Sequence, residues 1–329
     1  MPATRPRIRE DPPRPSKGSA SCLNRGIERA RPQVLAIFGP TGVGKTAVAI
    51  AIAELLRERG DDPVAVSCDA IQVYRGLETL SGAVTPAERE RLEHRLVGFV
   101  DPAGEFSAGR FAMLAHEEID QLLAAGRRPI VVGGTGLYLR AALAKLDLRP
   151  PVPLEIRAEV ESEIAERGPS ALWDELDPDV AATIHPNDRK RIARTTELQR
   201  AGIEPSSSSE GLWTARLRRP TLLVGLTIDR DELSRRIDAR VDEMVAAGAA
   251  DEAHRVDRDG ASRTARAALG FEQLLEGDVD AVKAAHRAYA RRQLTWMRRM
   301  EGVELIDRSG RDDRDVARQI VSALGENGF

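Results

Sequence analysis

Apolar positions recur along this chain in two rhythms. Val34–Phe38 is apolar throughout, the pattern of a strand buried on both faces. After a glycine-rich turn, Ala47–Arg59 carries Val48, Ile52, Leu55 and Leu56 on one face, which predicts a helix ending at Gly60. Pro63–Cys68 and Ile130–Val132 predict two further strands, the latter stopped by Gly133-Gly134, and Thr221–Ile228 predicts a fourth. Apolar strands separated by helical stretches argue for a parallel α/β sheet.

The rhythm changes between Pro150 and about residue 214. Pro150, Pro151 and Pro153 open this stretch, and Leu154–Arg167, Ser170–Glu175 and Asp188–Ala201 read as helices without a β-branched run between them. Ser206–Ser209 closes it as a flexible linker. After Asp229, a plausible N-cap, the chain is expected to be helical again, over Arg230–Val256 and Ala281–Met300. The organisation expected is an N-terminal extension over 1–32, the first part of an α/β core over 33–149, a helical insertion over 150–214, and a mostly helical second part of the core over 215–329.

Composition narrows the picture. With 42% apolar and 31% charged residues among 329, the chain has the makeup of an ordinary globular protein. Residues 1–32 stand apart, with eight Lys/Arg, six prolines and no apolar period, and are expected to be disordered. No stretch of about 18 consecutive apolar residues suggests a membrane span. Two distant cysteines, Cys22 and Cys68, and five scattered histidines give neither a disulfide framework nor a metal signature, which fits a reducing, cytoplasmic setting. A net charge of −3 means that attraction to a nucleic acid must be local. Two segments supply it. Asp188–Arg194 holds four Lys/Arg against one acid, and Arg287–Arg299 holds five arginines and no acid, with Tyr289 and Trp296 between them.

The strongest chemical signal is Gly39-Pro40-Thr41-Gly42-Val43-Gly44-Lys45-Thr46, a complete P-loop pattern with a strand before it and a helix after it. Glycines let successive N–H groups face phosphate oxygens, the helix N-terminus adds its dipole, Lys45 adds a charge, and the Thr46 hydroxyl can ligate magnesium. The pattern leaves open whether the phosphates belong to ATP, GTP or a diphosphate ester. Asp69 follows the second strand, at the carboxyl edge where open α/β sheets place their chemistry. It is a candidate base or metal support, or more plainly a turn residue.

Beyond the loop, the chain resembles the tRNA dimethylallyltransferases. The resemblance rests on Ser67-Cys68-Asp69-Ala70-Ile71-Gln72-Val73-Tyr74-Arg75, Val132-Gly133-Gly134-Thr135-Gly136-Leu137-Tyr138, His185-Pro186-Asn187-Asp188 with Lys190-Arg191-Ile192-Ala193-Arg194, Ala268-Leu269-Gly270-Phe271, and Arg292-Gln293-Leu294-Thr295-Trp296. These run in the family's order over about residues 33 to 308. The resemblance implies a P-loop NTPase-like core with an all-helical insertion that grips the tRNA anticodon stem-loop. It implies a monomer that moves a dimethylallyl group from dimethylallyl diphosphate to the exocyclic amine of the adenosine immediately 3′ of the anticodon, with Mg2+ as cofactor. Gly39–Thr46 would cradle the diphosphate, Thr46 would also hold the metal, Asp69 would be the general base, and Arg240 would neutralise the leaving group. Positions touching tRNA would be Asp69, Ala70, Ile71, Gln72, Thr135, Arg157, Lys190, Arg191, Ile192, Ala193, Arg194, Arg266, Leu269, Gly270 and Phe271. The chain departs from the family at Ser81-Gly82-Ala83-Val84-Thr85-Pro86, which lacks the common lysine, at Phe271 in place of tyrosine, and at Ala267.

The chemistry agrees with this. An adenine amine has a delocalised lone pair and needs a proton acceptor as it attacks, and a carboxylate suits that task. A stacked base must turn out to be reached, and Gln72 carries the amide groups for an edge contact. Read one residue at a time, Gln72 is an ordinary polar loop residue, Trp296 a core residue, and Arg240 a partner in a helix-surface salt bridge. Three other readings stay open: a small-molecule P-loop kinase, an isopentenyltransferase of free adenine nucleotides, and a non-catalytic RNA-binding protein.

Overall fold

The structure is a computed structural model and describes residues 32–204 and 213–326. The expected disorder over 1–32 (Pro32 apart) and the expected Ser206–Ser209 linker lie outside the described residues.

Six strands among the described residues form one parallel sheet in the order β3-β2-β4-β1-β5-β6. They are β1 (Val34–Phe38), β2 (Pro63–Ser67), β3 (His94–Arg95), β4 (Arg128–Gly133), β5 (Thr221–Thr227) and β6 (Val303–Asp307). The continuous apolar runs lie where both faces are covered. Along β1, Leu35 and Ile37 enter the core on one face, while Val34, Ala36 and Phe38 enter the core on the other. Helices α1 (Lys45–Arg57) and α15 (Asp313–Glu326) cover the first face; α4 (Ala108–Ala124) and α5 (Gly136–Leu143) belong to the second.

Register puts the chemistry at one edge. Phe38 pairs with Gly133 on one side and Gly225 on the other, and Ser67 pairs with Val132. The loops after β1, β2 and β4 therefore open together. The chain also crosses here from the β2–β4 side of β1 to the β5–β6 side, which makes this edge the topological switch point.

The span 150–204 folds as α6 (Leu154–Arg167), α7 (Pro169–Asp174), α8 (Pro178–Ala181) and α9 (Arg189–Arg200). These helices have a small core of their own, including Val160, Ile164, Leu172 and Ile192. The Trp173 indole N–H ties the unit together by donating to the Ile184 carbonyl at 2.8 Å.

Two expectations need correction. The helix expected over Arg230–Val256 is two helices, α10 (Arg230–Ala246) and α11 (Ala249–Arg258), parted at Gly248 with φ 93°. The run Val245-Ala-Ala-Gly-Ala-Ala250 keeps helical composition, but its glycine takes a left-handed turn that L residues resist. Asp229 does cap α10, accepting the Asp231 and Glu232 N–H groups at 3.0 Å each. The second part of the core also carries a strand that the sequence pattern does not predict, β6, which completes the sheet. β6 is an edge strand whose Glu304, Leu305 and Asp307 are exposed and whose Ile306 alone is buried, so it shows no apolar run. Past α11 come α12 (Arg263–Arg266), α13 (Phe271–Leu275) and α14 (Val279–Arg299).

Candidate active site

The loop after β1 has the shape that its pattern calls for. Val43 is fully buried and anchors it, while Gly42 and Gly44 take φ 80° and 87°. Gly44 is required twice over. Its backbone is left-handed, and a Cβ there would lie 2.1 Å from Nη1 of Arg308. Arg308, buried just past β6, donates to the Val43 carbonyl at 2.5 Å and pairs with Asp313 at 2.8 Å. Lys45 Nζ donates to the Gly39 and Pro40 carbonyls at 3.1 and 3.0 Å. Burial, reinforced by Arg240, lowers its pKa to about 8, and Asp69 works the other way. Lys45 is thus a cation at neutral pH. The Thr46 hydroxyl opens α1 with no hydrogen-bond partner among the described residues, so it is available as a ligand.

Arg240 reaches in from α10 across the chain. Its Nη1 donates to Thr41 Oγ1 at 3.0 Å and its Nη2 to the Gly82 carbonyl at 3.4 Å. A Cβ on Gly82 would fall 1.9 Å from Nη2, so the stretch that lacks the family's lysine is where this guanidinium lies. Taken alone as a sequence position, Arg240 looked like a surface salt-bridge partner; it is instead drawn into the crevice. Burial works against its charge and Asp69 favours it.

Asp69 is a turn residue with one oxygen to spare. Oδ1 caps the following turn, accepting the Ile71 N–H at 2.9 Å and the Gln72 N–H at 3.4 Å. Oδ2 has no hydrogen-bond partner among the described residues and is left for chemistry. Its neighbour Cys68 is fully buried, and burial pushes the thiol far above its ordinary range, so it is no nucleophile. Thr135 Oγ1 accepts the Ala70 N–H at 3.4 Å and lies 3.3 Å from the Tyr289 hydroxyl. Burial, then the charge of Asp69, pushes Tyr289 up to about 12. Gln72 has both amide ends engaged, accepting from Ser67 Oγ at 3.0 Å and donating to the Gly82 carbonyl at 3.2 Å. Its role here is to tie the Asp69 turn to the Arg240 strap.

The P-loop, Asp69, Gln72, Thr135 and Arg240 are thus brought into one connected crevice. The other expected contact residues divide. Lys190 and Arg191 are exposed on α9, where Arg191 lies 3.6 Å from Asp188. Arg194 is held by the Pro150 carbonyl at 2.5 Å and Glu197 at 3.1 Å, and Arg157 faces Glu105 at 3.5 Å and Glu197 at 3.8 Å. Both sit at the join of insertion and core. Arg266 pairs with Asp257 at 2.5 Å and lies over the Phe271 ring, while Ala70, Ile71 and Leu269 are half-buried. Gly270 is the left-handed cap of α13.

Three contacts drawn from the resemblance are corrected as side-chain contacts. Ile192 and Phe271 are fully buried and Ala193 is 6% exposed, so these side chains pack the interior and position their neighbours. Trp296 is half-buried against Trp213, ring centroids 4.7 Å apart, in keeping with the core reading.

Two site residues escaped sequence reasoning. Gln293 on α14 accepts the Thr41 N–H at 2.8 Å and donates to the Gly134 carbonyl at 2.8 Å. Its signal was a polar residue on the same helix face as Tyr289 and Trp296, at i, i+4 and i+7. Arg308 gave no signal, because the edge strand before it did not read as a strand.

The family model for IPP transferase matches residues 72–300. The tRNA dimethylallyltransferase of Kineococcus radiotolerans is 38% identical over 308 residues, which cover 88% of this chain and 96% of that one. The chain belongs to the IPP transferase family, the tRNA dimethylallyltransferases. Another relative, the tRNA dimethylallyltransferase of Anaeromyxobacter sp. (strain Fw109-5), is 40% identical over 301 residues, 88% of this chain and 98% of that one. The solved tRNA isopentenylpyrophosphate transferase of Bacillus halodurans superimposes with a TM-score of 0.64 at 32% identity, over 90% of this chain and 97% of that one. The P-loop and Arg308 both lie outside the span that the family model matches. Arg308, close to the C-terminal end of the core, holds the P-loop, which follows its first strand.

Proposed function

We propose that this protein transfers a dimethylallyl group from dimethylallyl diphosphate to the exocyclic amine of the adenosine immediately 3′ of the anticodon in tRNA, giving N6-isopentenyladenosine. The observation that carries this reading is the convergence of a phosphate loop, two half-buried cations and one carboxylate with a free oxygen at one edge of the sheet. The diphosphate lies along the loop amides, with Lys45 and Arg240 taking up its charge. The amine nitrogen attacks the first carbon of the donor, the carbon–oxygen bond breaks, and its electron pair leaves with the diphosphate. Asp69, through Oδ2, receives the proton that the amine must lose. Charge gathered on the leaving oxygens is stabilised by donors already in place.

The residues suit Mg2+. No group of three or more His, Cys, Asp or Glu able to hold a metal exists among the described residues, and Mg2+ commonly takes one or two protein oxygens with substrate phosphates. Thr46 would supply the protein oxygen, and the ion would supply charge neutralisation at the diphosphate. Exposed Lys190 and Arg191 supply phosphate contacts to the anticodon stem. We read the enzyme as a cytoplasmic monomer, because the family resemblance leans to a monomer and two distant cysteines suit a reducing compartment. No helix among the described residues is long and apolar enough to cross a membrane.

The test is incubation of unmodified tRNA with the protein, dimethylallyl diphosphate and Mg2+, followed by mass analysis of nuclease fragments. N6-isopentenyladenosine confined to the position 3′ of the anticodon is the expected product. Phosphoryl transfer from ATP that depends on Lys45, with no modified nucleoside, would establish the kinase reading instead.

A further inference from the structure

Gln293 is 4% exposed, and its amide is used at both ends. The bonds fix its orientation, because a flipped amide would set NH2 against the Thr41 N–H and oxygen against the Gly134 carbonyl. Thr41 is held on both of its polar groups, the N–H by Gln293 and the hydroxyl by Arg240.

This matters for the length of the phosphate chain the loop can take. Phosphates seated on the amides at the start of α1 are the inner ones in a P-loop, and a further phosphate extends back over the first half of the loop toward the lysine. In this protein that half is capped. The Thr41 N–H faces Gln293 Oε1. A Cβ built on Gly134 would lie 2.2 Å from Gln293 Nε2 and 3.3 Å from Lys45 Nζ, so the amide and the ammonium both lie against Gly134. The Gly134 carbonyl behind them is an acceptor and offers an anion no donor.

We propose that Gln293 is the residue that fits the loop to a diphosphate and excludes a triphosphate. The proposal rests on the donor-site reading above and adds a specificity determinant to it. A neutral side chain is placed where a third phosphate would come, and it already engages the donor that such a phosphate would use.

The test measures inorganic pyrophosphate and inorganic tripolyphosphate as competitors of dimethylallyl diphosphate, at fixed free Mg2+. Wild type is expected to bind pyrophosphate on the order of 10-fold or more tightly than tripolyphosphate, and Gln293→Ala to bring that ratio to within about threefold of unity. Gln293→Glu keeps the size and the acceptor but adds a negative charge, so the ratio should widen. A folded Gln293→Ala protein with the wild-type ratio overturns the proposal, as does a wild type that takes both anions equally. Where Gln293→Ala does not fold, Gln293→Glu decides, and a ratio no wider than wild type's overturns it. Lys45→Ala separates the two claims. Pyrophosphate binding that survives Lys45→Ala removes the donor-site reading itself. Binding lost in Lys45→Ala, with an unchanged ratio in Gln293→Ala, removes the selectivity role alone.

Discussion

Lys45 sets the pH behaviour of the site. Its pKa is lowered to about 8, first by burial and then by Arg240, against an ordinary value of 10.5. Between those values the unfolded chain binds the proton and the donor-free protein does not, so this group makes stability rise with pH through that window. Donor binding works in the opposite sense, because a diphosphate favours the charged ammonium. Dimethylallyl diphosphate should therefore bind less tightly as pH rises through about 8, and binding just above pH 8 should be accompanied by proton uptake. Calorimetry in two buffers of different ionisation enthalpy measures that uptake, and a buffer-independent heat would contradict the assignment. At this scale Lys45, Thr46 and Asp69 were legible in the sequence, since a loop motif and a strand-end acid are local features. Gln293 and Arg308 were not. Their partners lie 252 and 265 residues away, and no local pattern encodes such pairs.

Among the elements, the end of β4 shows how closely the crevice is built. A Cβ on Gly133 would lie 2.4 Å from both the carbonyl oxygen and the Sγ of Cys68, and one on Gly136 would lie 2.3 Å from the Trp296 ring. Small residues let β2 and α14 close on β4 from two sides, which brings Asp69, Thr135 and Tyr289 together. Gly133→Ala should cost about 1–3 kcal/mol by overpacking against backbone that cannot yield. Gly325→Ala, within α15 and with no atom within 4 Å of the added carbon, should instead be neutral or stabilise by up to ~1 kcal/mol. Urea unfolding of both variants checks the contrast, and equal effects would refute it. Strands β1, β2, β4 and β5 were legible because burial on both faces leaves continuous apolar runs. Edge strands β3 and β6 carry no such run, and the break at Gly248 hides in a sequence of helical composition.

Over the whole molecule, the P-loop edge proposed for the donor and the helical insertion proposed for the tRNA stem are built on separate cores. The insertion has its own core and meets the rest through ion pairs such as Arg263–Glu161 at 3.0 Å and Arg157–Glu105 at 3.5 Å. Replacing Lys190 and Arg191 by glutamine should weaken tRNA binding and reduce the slope of log affinity against log salt by roughly one to two. Donor affinity should not change, and an unaltered tRNA salt dependence would remove these residues from the interface. The reaction as proposed depends on one carboxylate standing beside one phosphate loop. Asp69→Asn keeps the shape and the turn-capping oxygen but cannot take a proton. Single-turnover transfer to tRNA and donor affinity, measured separately on Asp69→Asn, test this most directly. The expected result is a fall in rate of about 10²–10⁴ with donor affinity nearly unchanged. A near-normal single-turnover rate would contradict the role of Asp69 as the base.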